Sequence, residues 1–365
     1  MKILYCITLG TWGGAQKHVY ELIKDQTKRK NEVILLTGKK GKLTEKVRRE
    51  FPQVKVVIQD NLKRDLSPRN DLMAIKDLRN YIKNENPDVI HLHSSKAGTL
   101  GRLASIGLNI PVIFTIHGWS FENTDFSTTK RNLFEHLERF LSKFTTKFIC
   151  VSDYSNQLGK ELNIYTNSDQ AVVIPNGITN KCVSHTEDNQ KWTRLVMVAR
   201  FSKQKNQELL IKALNKVNAN VKLDLLGDGP TLDKCKKLAV DLGVDRNIKF
   251  HGAVDDVDSF YKKADVAILI SNYEALPLSL IEALRAGLPI IASNVGGNSE
   301  LVSYGNGALV ENNVKAIAEE IEKLARNPQM RKMMGKDSRN LFLKNFTKEG
   351  MLDKTNQVYL SVTEN

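Results

Sequence analysis

The chain has only four cysteines among its 365 residues, and none of them pairs with another in sequence. Cys6 and Cys150 lie inside apolar, strand-like runs; Cys182 and Cys235 are isolated, with no CxxC pair and no clustered histidines. This excludes a disulfide framework and a cysteine-based zinc site, leaving buried or incidental thiols. Long hydrophobic runs are also missing: nothing approaches the roughly 20 apolar residues that span a bilayer. The opening MKILYCITLG sets Lys2 before a short apolar run, but Gly10, Trp12, Gly13 and Gly14 break it and no small-residue cleavage site follows. A buried first strand and a cytoplasmic location are therefore expected. No basic-aromatic repeat or recognition-helix pattern is present, so nucleic acid is not an expected partner.

What is present is the composition of a folded protein, 41% hydrophobic and 26% charged. The length suits two domains, each with its own core. The net charge of +13 is unevenly placed. Residues 1–185 hold 28 Lys+Arg and 18 Asp+Glu, a difference of +10; residues 186–365 hold 26 and 23, a difference of +3. The first half is suited to an anionic partner, whether an acidic membrane face or a phosphorylated acceptor, though a basic surface with no partner has the same composition.

Short, β-branched, apolar strands alternate with amphipathic helices, the pattern of parallel sheets covered on both faces. KILYCIT, EVILLT, VKVVI, PDVIHLH, PVIFTIHG and KFICVS form a first series. After AVVIPNGI comes a polar stretch, NKCVSHTEDNQKW, that reads as a linker, and the series restarts with RLVMVAR, VKLDLLGDG, NIKFHG, DVAILIS and PIIAS. Two doubly wound domains are predicted, 1–178 and 179–346, with a helix at about 347–365 returning to the first. Ligands of such sheets bind at the loops that follow the strands, in a cleft between the domains.

Four features there carry chemistry. Gly13-Gly14 opens a helix and lets backbone approach a phosphate, although a plain tight turn has the same sequence. Arg200 and Lys205, in VARFSKQKN, could neutralise a diphosphate, or be solvated surface. Glu274 and Glu282 flank a helix start at Pro277, whose first amides, at Leu278 and Ser279, face an anion; the alternative is two solvent-facing carboxylates. His117, in TIHGWSF, ends a buried strand on the same carboxyl edge as Gly13-Gly14, where a site role and a structural role weigh evenly.

Together these residues resemble the retaining GT-B glycosyltransferases of family 4, over nearly the whole chain. GGAQKHV resembles the family's N-terminal glycine loop, HG at His117-Gly118 its active-site histidine and PNGI at 175–178 its interdomain NG motif. VARFSKQKN resembles the R-x4-K phosphate clamp, LLGDGP the GxGP turn, Glu274 to Glu282 the E-x7-E signature and ASNVGGNSELV the stretch after it. The resemblance implies an α/β GT-B architecture, two Rossmann-like domains with parallel sheets facing a central cleft. It implies a nucleotide-sugar donor, UDP-linked by default with N-acetylhexosamines favoured, whose diphosphate Arg200 and Lys205 hold. Glu274 then contacts sugar hydroxyls, Glu282 the ribose, and His117 the sugar from the other domain. Gly13, Gly14, Asn176, Gly227, Leu276, Pro277 and Leu278 complete the donor site. No cofactor and no metal are implied, because Arg, Lys and helix amides supply the positive charge and no DxD site is present.

HLHSSKAGTLGRLA and FTIHGWSF resemble members that build bacterial capsules and exopolysaccharides. A polyprenyl-diphosphate-linked saccharide is the implied acceptor. KRNLFEHLERFLSKFTTK, from Lys130 to Lys147, combines six apolar residues with five basic ones. It reads either as a basic amphipathic helix on the anionic inner face of the membrane or as an ordinary helix packed on the sheet. A GT-B nucleotide-sugar 2-epimerase and a catalytically silent partner subunit are the competing functions.

Overall fold

The computed structural model describes residues 1–65, 67–165, 167–181 and 191–364. Cys182 and most of the predicted linker, 182–190, lie outside the described residues. The chain divides into two units, Met1–Asn176 with Glu349–Asn365 and Gly177–Lys348. The sequence reading had set the divisions at 178 and 346.

In unit 1 the strands are β1 (Lys2–Ile7), β2 (Glu32–Thr37), β3 (Lys55–Ile58), β4 (Val89–His93), β5 (Val112–Ile116), β6 (Lys147–Cys150) and β7 (Ala171–Val173). They alternate with α1 (Gly14–Lys28), α2 (Lys42–Glu50), α3 (Pro68–Glu85), α4 (Ser95–Ser105), α5 (Thr128–Leu141) and α6 (Asp153–Glu161). The sheet runs β3-β2-β1-β4-β5-β6-β7 with parallel pairing. Alternate residues of β1 enter opposite cores: Leu4 and Cys6 pack with Ile90, Leu92 and Phe114, while Ile3, Tyr5 and Ile7 pack with Val19, Leu22 and Ile23 of α1. That two-sided burial is why the strand reads as a continuous apolar run.

The helix expected from Lys130 to Lys147 ends sooner, at Leu141. A short 3-10 turn, Ser142–Phe144, follows, and Lys147 already belongs to β6. The Ser142 and Thr145 hydroxyls turn back onto the carbonyls of Arg139 (2.8 Å) and Leu141 (3.1 Å), competing with continuation of the helix. One side of α5 packs inward through Phe134, Leu141 and Glu138, whose carboxylate takes a hydrogen bond from buried Arg102 at 2.7 Å. Leu133 and Phe140 remain exposed.

Unit 2 contains β8 (Thr193–Val198), β9 (Val221–Leu226), β10 (Ile248–Gly252), β11 (Val266–Leu269), β12 (Ile290–Ser293) and β13 (Gly307–Val310). Its helices are α7 (Gln207–Leu214), α8 (Leu232–Asp241), α9 (Asp258–Tyr261), α10 (Leu278–Arg285), α11 (Asn298–Leu301), α12 (Val314–Ala325) and α13 (Pro328–Asn345). The order β10-β9-β8-β11-β12-β13 reverses direction between β8 and β11. In unit 1 the same reversal falls between β1 and β4. Such switch points leave a crevice at the carboxyl ends of the two strands. The last helix, α14 (Lys348–Thr363), sends Met351, Leu352, Val358 and Tyr359 into the unit 1 core beside Tyr5. The Tyr5 and Tyr359 hydroxyls lie 2.9 Å apart.

Candidate functional site

In unit 2 the loops that leave β8 and β9 lie flat on each other. The Ala199 amide donates to the Leu226 carbonyl (2.9 Å) and the Phe201 amide to the Asp228 carbonyl (3.0 Å). At Gly227, with φ +137°, a Cβ would stand 2.0 Å from the Ala199 oxygen; at Gly229, with φ +154°, it would stand 2.1 Å from the Phe201 oxygen. Only glycine permits this approach. It pins the backbone on both sides of Arg200, whose side chain is exposed. Among the described residues no carboxylate forms an ion pair with Arg200, so its guanidinium is available to an anion.

The loop leaving β11 is stitched to the loop leaving β8. Asn272 Nδ2 donates to the Lys203 carbonyl and Gln204 Nε2 to the Tyr273 carbonyl, both at 2.9 Å. The Lys205 ammonium thereby reaches the Glu274 carboxylate and donates a hydrogen bond to it. From behind, Gly296 (φ +53°) presses on Glu274, where a Cβ would lie 1.8 Å from the Glu274 carbonyl oxygen. Glu274 and Glu282 are buried, 6% and 8% exposed, which removes the solvent-facing alternative. Pro277 stands immediately before α10 rather than in its first turn, with Leu276 buried beside it. The Leu278 and Ser279 amides open α10 without intrahelical acceptors. Glu282 lies further along α10, and its charge, after burial, helps hold the Tyr261 phenol well above its ordinary range. At the amino ends of the same strands a groove of about 470 Å³ runs past Trp192, Asn218, Arg326 and Arg331, remote from Arg200, Lys205 and Glu274.

In unit 1, Gly13 precedes α1 and Gly14 begins it, and no side chain caps that end. One turn along α1, His18 points back toward the ends of β4 and β5. His117 is therefore not the isolated histidine that the sequence suggests. One imidazole nitrogen from each of His18, His93 and His117 lies within 4.8 Å of the others. His93 Nδ1 and His117 Nε2 are 3.2 Å apart, and the two rings stack. His18 Nδ1 is 3.1 Å from Asn176 Oδ1; the amide oxygen can only accept, so Nδ1 carries the proton and Nε2 is bare. Behind them, His91 bonds Tyr359 and Thr115, each at 2.7 Å.

Burial is the main reason that these imidazoles stay neutral. His18 is pulled down to about 4, with its bond to Asn176 opposing the shift. His91, His93 and His117 are held well below the ordinary histidine value by burial, then by the charge of neighbouring histidines, His18 among them in each case. His117 is thus a neutral hydrogen-bonding group at pH 7.

The structure accordingly brings Lys205 to Glu274, seats Arg200 on the Gly227 turn, and links Asn176 to His117 through His18. His18 and His93 were missed as site residues. Their only sequence signals were the last letter of GGAQKH and the strand-ending HLH, neither of which shows that they meet. Cys6, Cys150 and Cys235 are buried free thiols. No helix of the described residues is long and apolar enough to cross a membrane.

The family model for glycosyl transferases group 1 matches residues 184–341, and that for glycosyltransferase family 4 matches residues 12–180. A UDP-Gal:alpha-D-GlcNAc-diphosphoundecaprenol alpha-1,3-galactosyltransferase of Escherichia coli is 28% identical over 92% of this chain and 90% of its own length. An uncharacterized glycosyltransferase of Methanocaldococcus jannaschii is 32% identical over 80% of each chain. Among solved structures, Anabaena HepE in complex with UDP and glucose superposes with a TM-score of 0.84 at 20% identity, over 99% of this chain and all of that one.

Proposed function

The chain belongs to the group 1 and family 4 glycosyltransferases, with the two Rossmann-like units of the GT-B fold, and from that premise we propose its donor, acceptor and mechanism. The donor is a UDP-linked hexose or N-acetylhexosamine. The acceptor is a hydroxyl of a polyprenyl-diphosphate-linked saccharide, and the anomeric configuration is retained. The observation that carries the reading is the pairing of Lys205 with buried Glu274 beside an exposed Arg200 that lacks a carboxylate partner among the described residues.

In this reading the bond between the anomeric carbon and the β-phosphate oxygen breaks, and a new bond forms to the acceptor oxygen on the same face. The acceptor proton passes to the departing phosphate. Arg200 and Lys205 stabilise the charge that grows on that phosphate, assisted by the Leu278 and Ser279 amides. With two cations and a helix terminus in place, no metal ion is needed. Glu274 accepts hydrogen bonds from sugar hydroxyls while Lys205 keeps its charge compensated, and Glu282 binds the ribose. His117, being neutral, hydrogen-bonds a sugar hydroxyl rather than pairing with a charge. No carboxylate is assigned as a nucleophile.

The acceptor reading is supported by the basic rim of unit 1. Lys39 and Lys40 follow β2, and Lys63 and Arg64 follow β3, all four exposed at the carboxyl edge of the sheet. Such a rim suits a diphosphate. The Escherichia coli relative is named for an acceptor of this kind. Exposed Leu133 and Phe140 on α5, close in sequence to Lys130, Arg131 and Lys143, suit contact with an anionic leaflet. The setting is capsule or exopolysaccharide assembly at the cytoplasmic face.

The test is UDP release from candidate UDP-sugars in EDTA, with and without a polyprenyl-diphosphate-linked saccharide, and the anomeric configuration of the product by NMR. Release only with acceptor and an α-configured product support the reading. Interconversion of the donor without acceptor identifies a 2-epimerase, and no donor binding identifies a silent subunit.

A further inference from the structure

Three neutral imidazoles converging in one pocket have a coordination chemistry of their own, distinct from the sugar chemistry assigned to His117. We propose that His18, His93 and His117 form a reversible site for a borderline-soft divalent cation of the Zn²⁺ type, which fixes the His117 ring and sets positive charge beside it.

The geometry is close to that of a bound ion. Two imidazole nitrogens on one tetrahedral Zn²⁺, each at about 2.0–2.1 Å, stand about 3.3–3.4 Å apart. His93 Nδ1 and His117 Nε2 are already 3.2 Å apart, so the ion replaces the proton that they share. One nitrogen of His18 lies within 4.8 Å of a nitrogen of each of the other two rings, and a movement on the order of 1 Å brings it into range. His18 is prepared for it. With Nδ1–H held by Asn176 Oδ1, its Nε2 keeps a free lone pair, and a ligating histidine held through its second nitrogen is a recurring feature of metal sites. His117 is only partly buried, so water and ion have a path of entry.

The same geometry makes the site reversible. With the ion on His93 Nδ1, the ring proton moves to Nε2, which is fully buried and has no hydrogen-bond partner. Loss of such outer support weakens a metal site by about 10–100-fold. Among the described residues no carboxylate joins the cluster to offset the ion's charge. Three nitrogen ligands also narrow the choice of ion: Zn²⁺, Cu²⁺ and Ni²⁺ suit imidazole, whereas Mg²⁺ and Mn²⁺ prefer oxygen.

Co²⁺ is the probe, titrated into the full chain after EDTA treatment and desalting, with Mg²⁺ as control. The expected result is one Co²⁺ per chain with the intense visible absorption of a four-coordinate ion, displaced by Zn²⁺ and not by Mg²⁺. His93→Gln and His18→Gln should each abolish the band. Asn176→Ala, which leaves all three ligands in place, should weaken binding by about 10–100-fold. Circular dichroism of each variant separates loss of the site from loss of the fold. No Co²⁺ bound, or unchanged binding in both folded histidine variants, overturns the site. That Zn²⁺ should also inhibit sugar transfer, reversibly by EDTA, rests on the transferase reading. Stoichiometric Zn²⁺ binding without inhibition overturns the effect of the ion on His117, whereas absent transfer with intact Co²⁺ binding overturns the reading of the reaction.

Discussion

Lys205 and Glu274, 69 residues apart in sequence, are joined ammonium to carboxylate across the switch point of the second sheet, one on the loop leaving β8 and the other on the loop leaving β11. The Glu274 side chain is 5% exposed and that of Lys205 18%, so this is a largely desolvated pair rather than a surface one. In the proposed reading, a donor diphosphate that approaches Arg200 meets a Lys205 ammonium already held in place by Glu274.

Removing the ammonium should therefore destabilise the protein as well as slow it. Lys205→Met leaves a buried carboxylate unpaired, at a cost of about 1–3 kcal/mol by urea unfolding. The double variant Lys205→Met/Glu274→Gln should recover most of that stability, because no charge is left stranded. Transfer should stay depressed in both, by on the order of 10²–10³ in kcat. A double variant as unstable as the sum of the singles would show that the two side chains are not coupled.

Gly296→Ala tests the support behind Glu274. Its backbone is left-handed, and the added methyl would fall within 1.8 Å of the Glu274 carbonyl oxygen, so the loop must move. A loss of about 1–3 kcal/mol is expected, with a rise in KM for the donor larger than that of a surface Gly→Ala elsewhere. Gly107, also left-handed but with nothing within 4 Å, is the control: Gly107→Ala should strain the backbone without touching donor affinity.

Both sheets were legible because their strands are buried on both faces, which forces continuous apolar runs such as VIFTI and VAILI. The glycine turns and the positions of Arg200, Lys205, Glu274 and Glu282 were legible because loops at strand ends keep short motifs local. The pairing of Lys205 with Glu274 was not, since it depends on which strands become neighbours. The histidine cluster was hidden for the same reason. His18, His93 and His117 come from a helix and two strand ends, and only the sheet order brings them together. The extent of α5 was misread because the apolar spacing of Phe140, Leu141 and Phe144 continues past the point where Ser142 and Thr145 turn their hydroxyls onto the helix carbonyls.

The buried histidines should make stability depend on pH in a defined direction. In the unfolded chain each titrates near 6.5, whereas in the fold His18 is lowered to about 4 and His91, His93 and His117 lie well below their ordinary value. Below pH 6.5 the unfolded state therefore binds more protons, and stability falls as pH falls, by up to about 1.4 kcal/mol per pH unit for each such histidine. The groups facing them are Asn176, Thr115, the Tyr359 hydroxyl and the Tyr5 ring, none of them charged at these pH values. Urea unfolding in EDTA at pH 7.0 and 5.0 should show the loss, and His91→Gln should lessen its slope. A flat profile between these values would mean that the histidines are solvated.

Glu282 gives the most direct test of the donor site, because its effect on ligand-dependent stability is read separately from its effect on the fold. A nucleotide that binds only the folded chain stabilises it by RT ln(1 + [L]/Kd), about 2.7 kcal/mol at 100 times Kd. If Glu282 takes the ribose hydroxyls, Glu282→Ala loses a charge-assisted hydrogen bond and roughly 10-fold in affinity. The same nucleotide concentration should then stabilise the variant by only about 1.4 kcal/mol. Comparing the rise in Tm with UDP, rather than Tm itself, cancels whatever the substitution does to the packing around Tyr261. GDP and ADP in parallel define the base, and EDTA throughout makes the rise independent of divalent metal. An undiminished rise in Glu282→Ala would place the ribose elsewhere, whereas a rise that requires Mg²⁺ would mean that Arg200, Lys205 and the α10 amides do not suffice to hold the diphosphate.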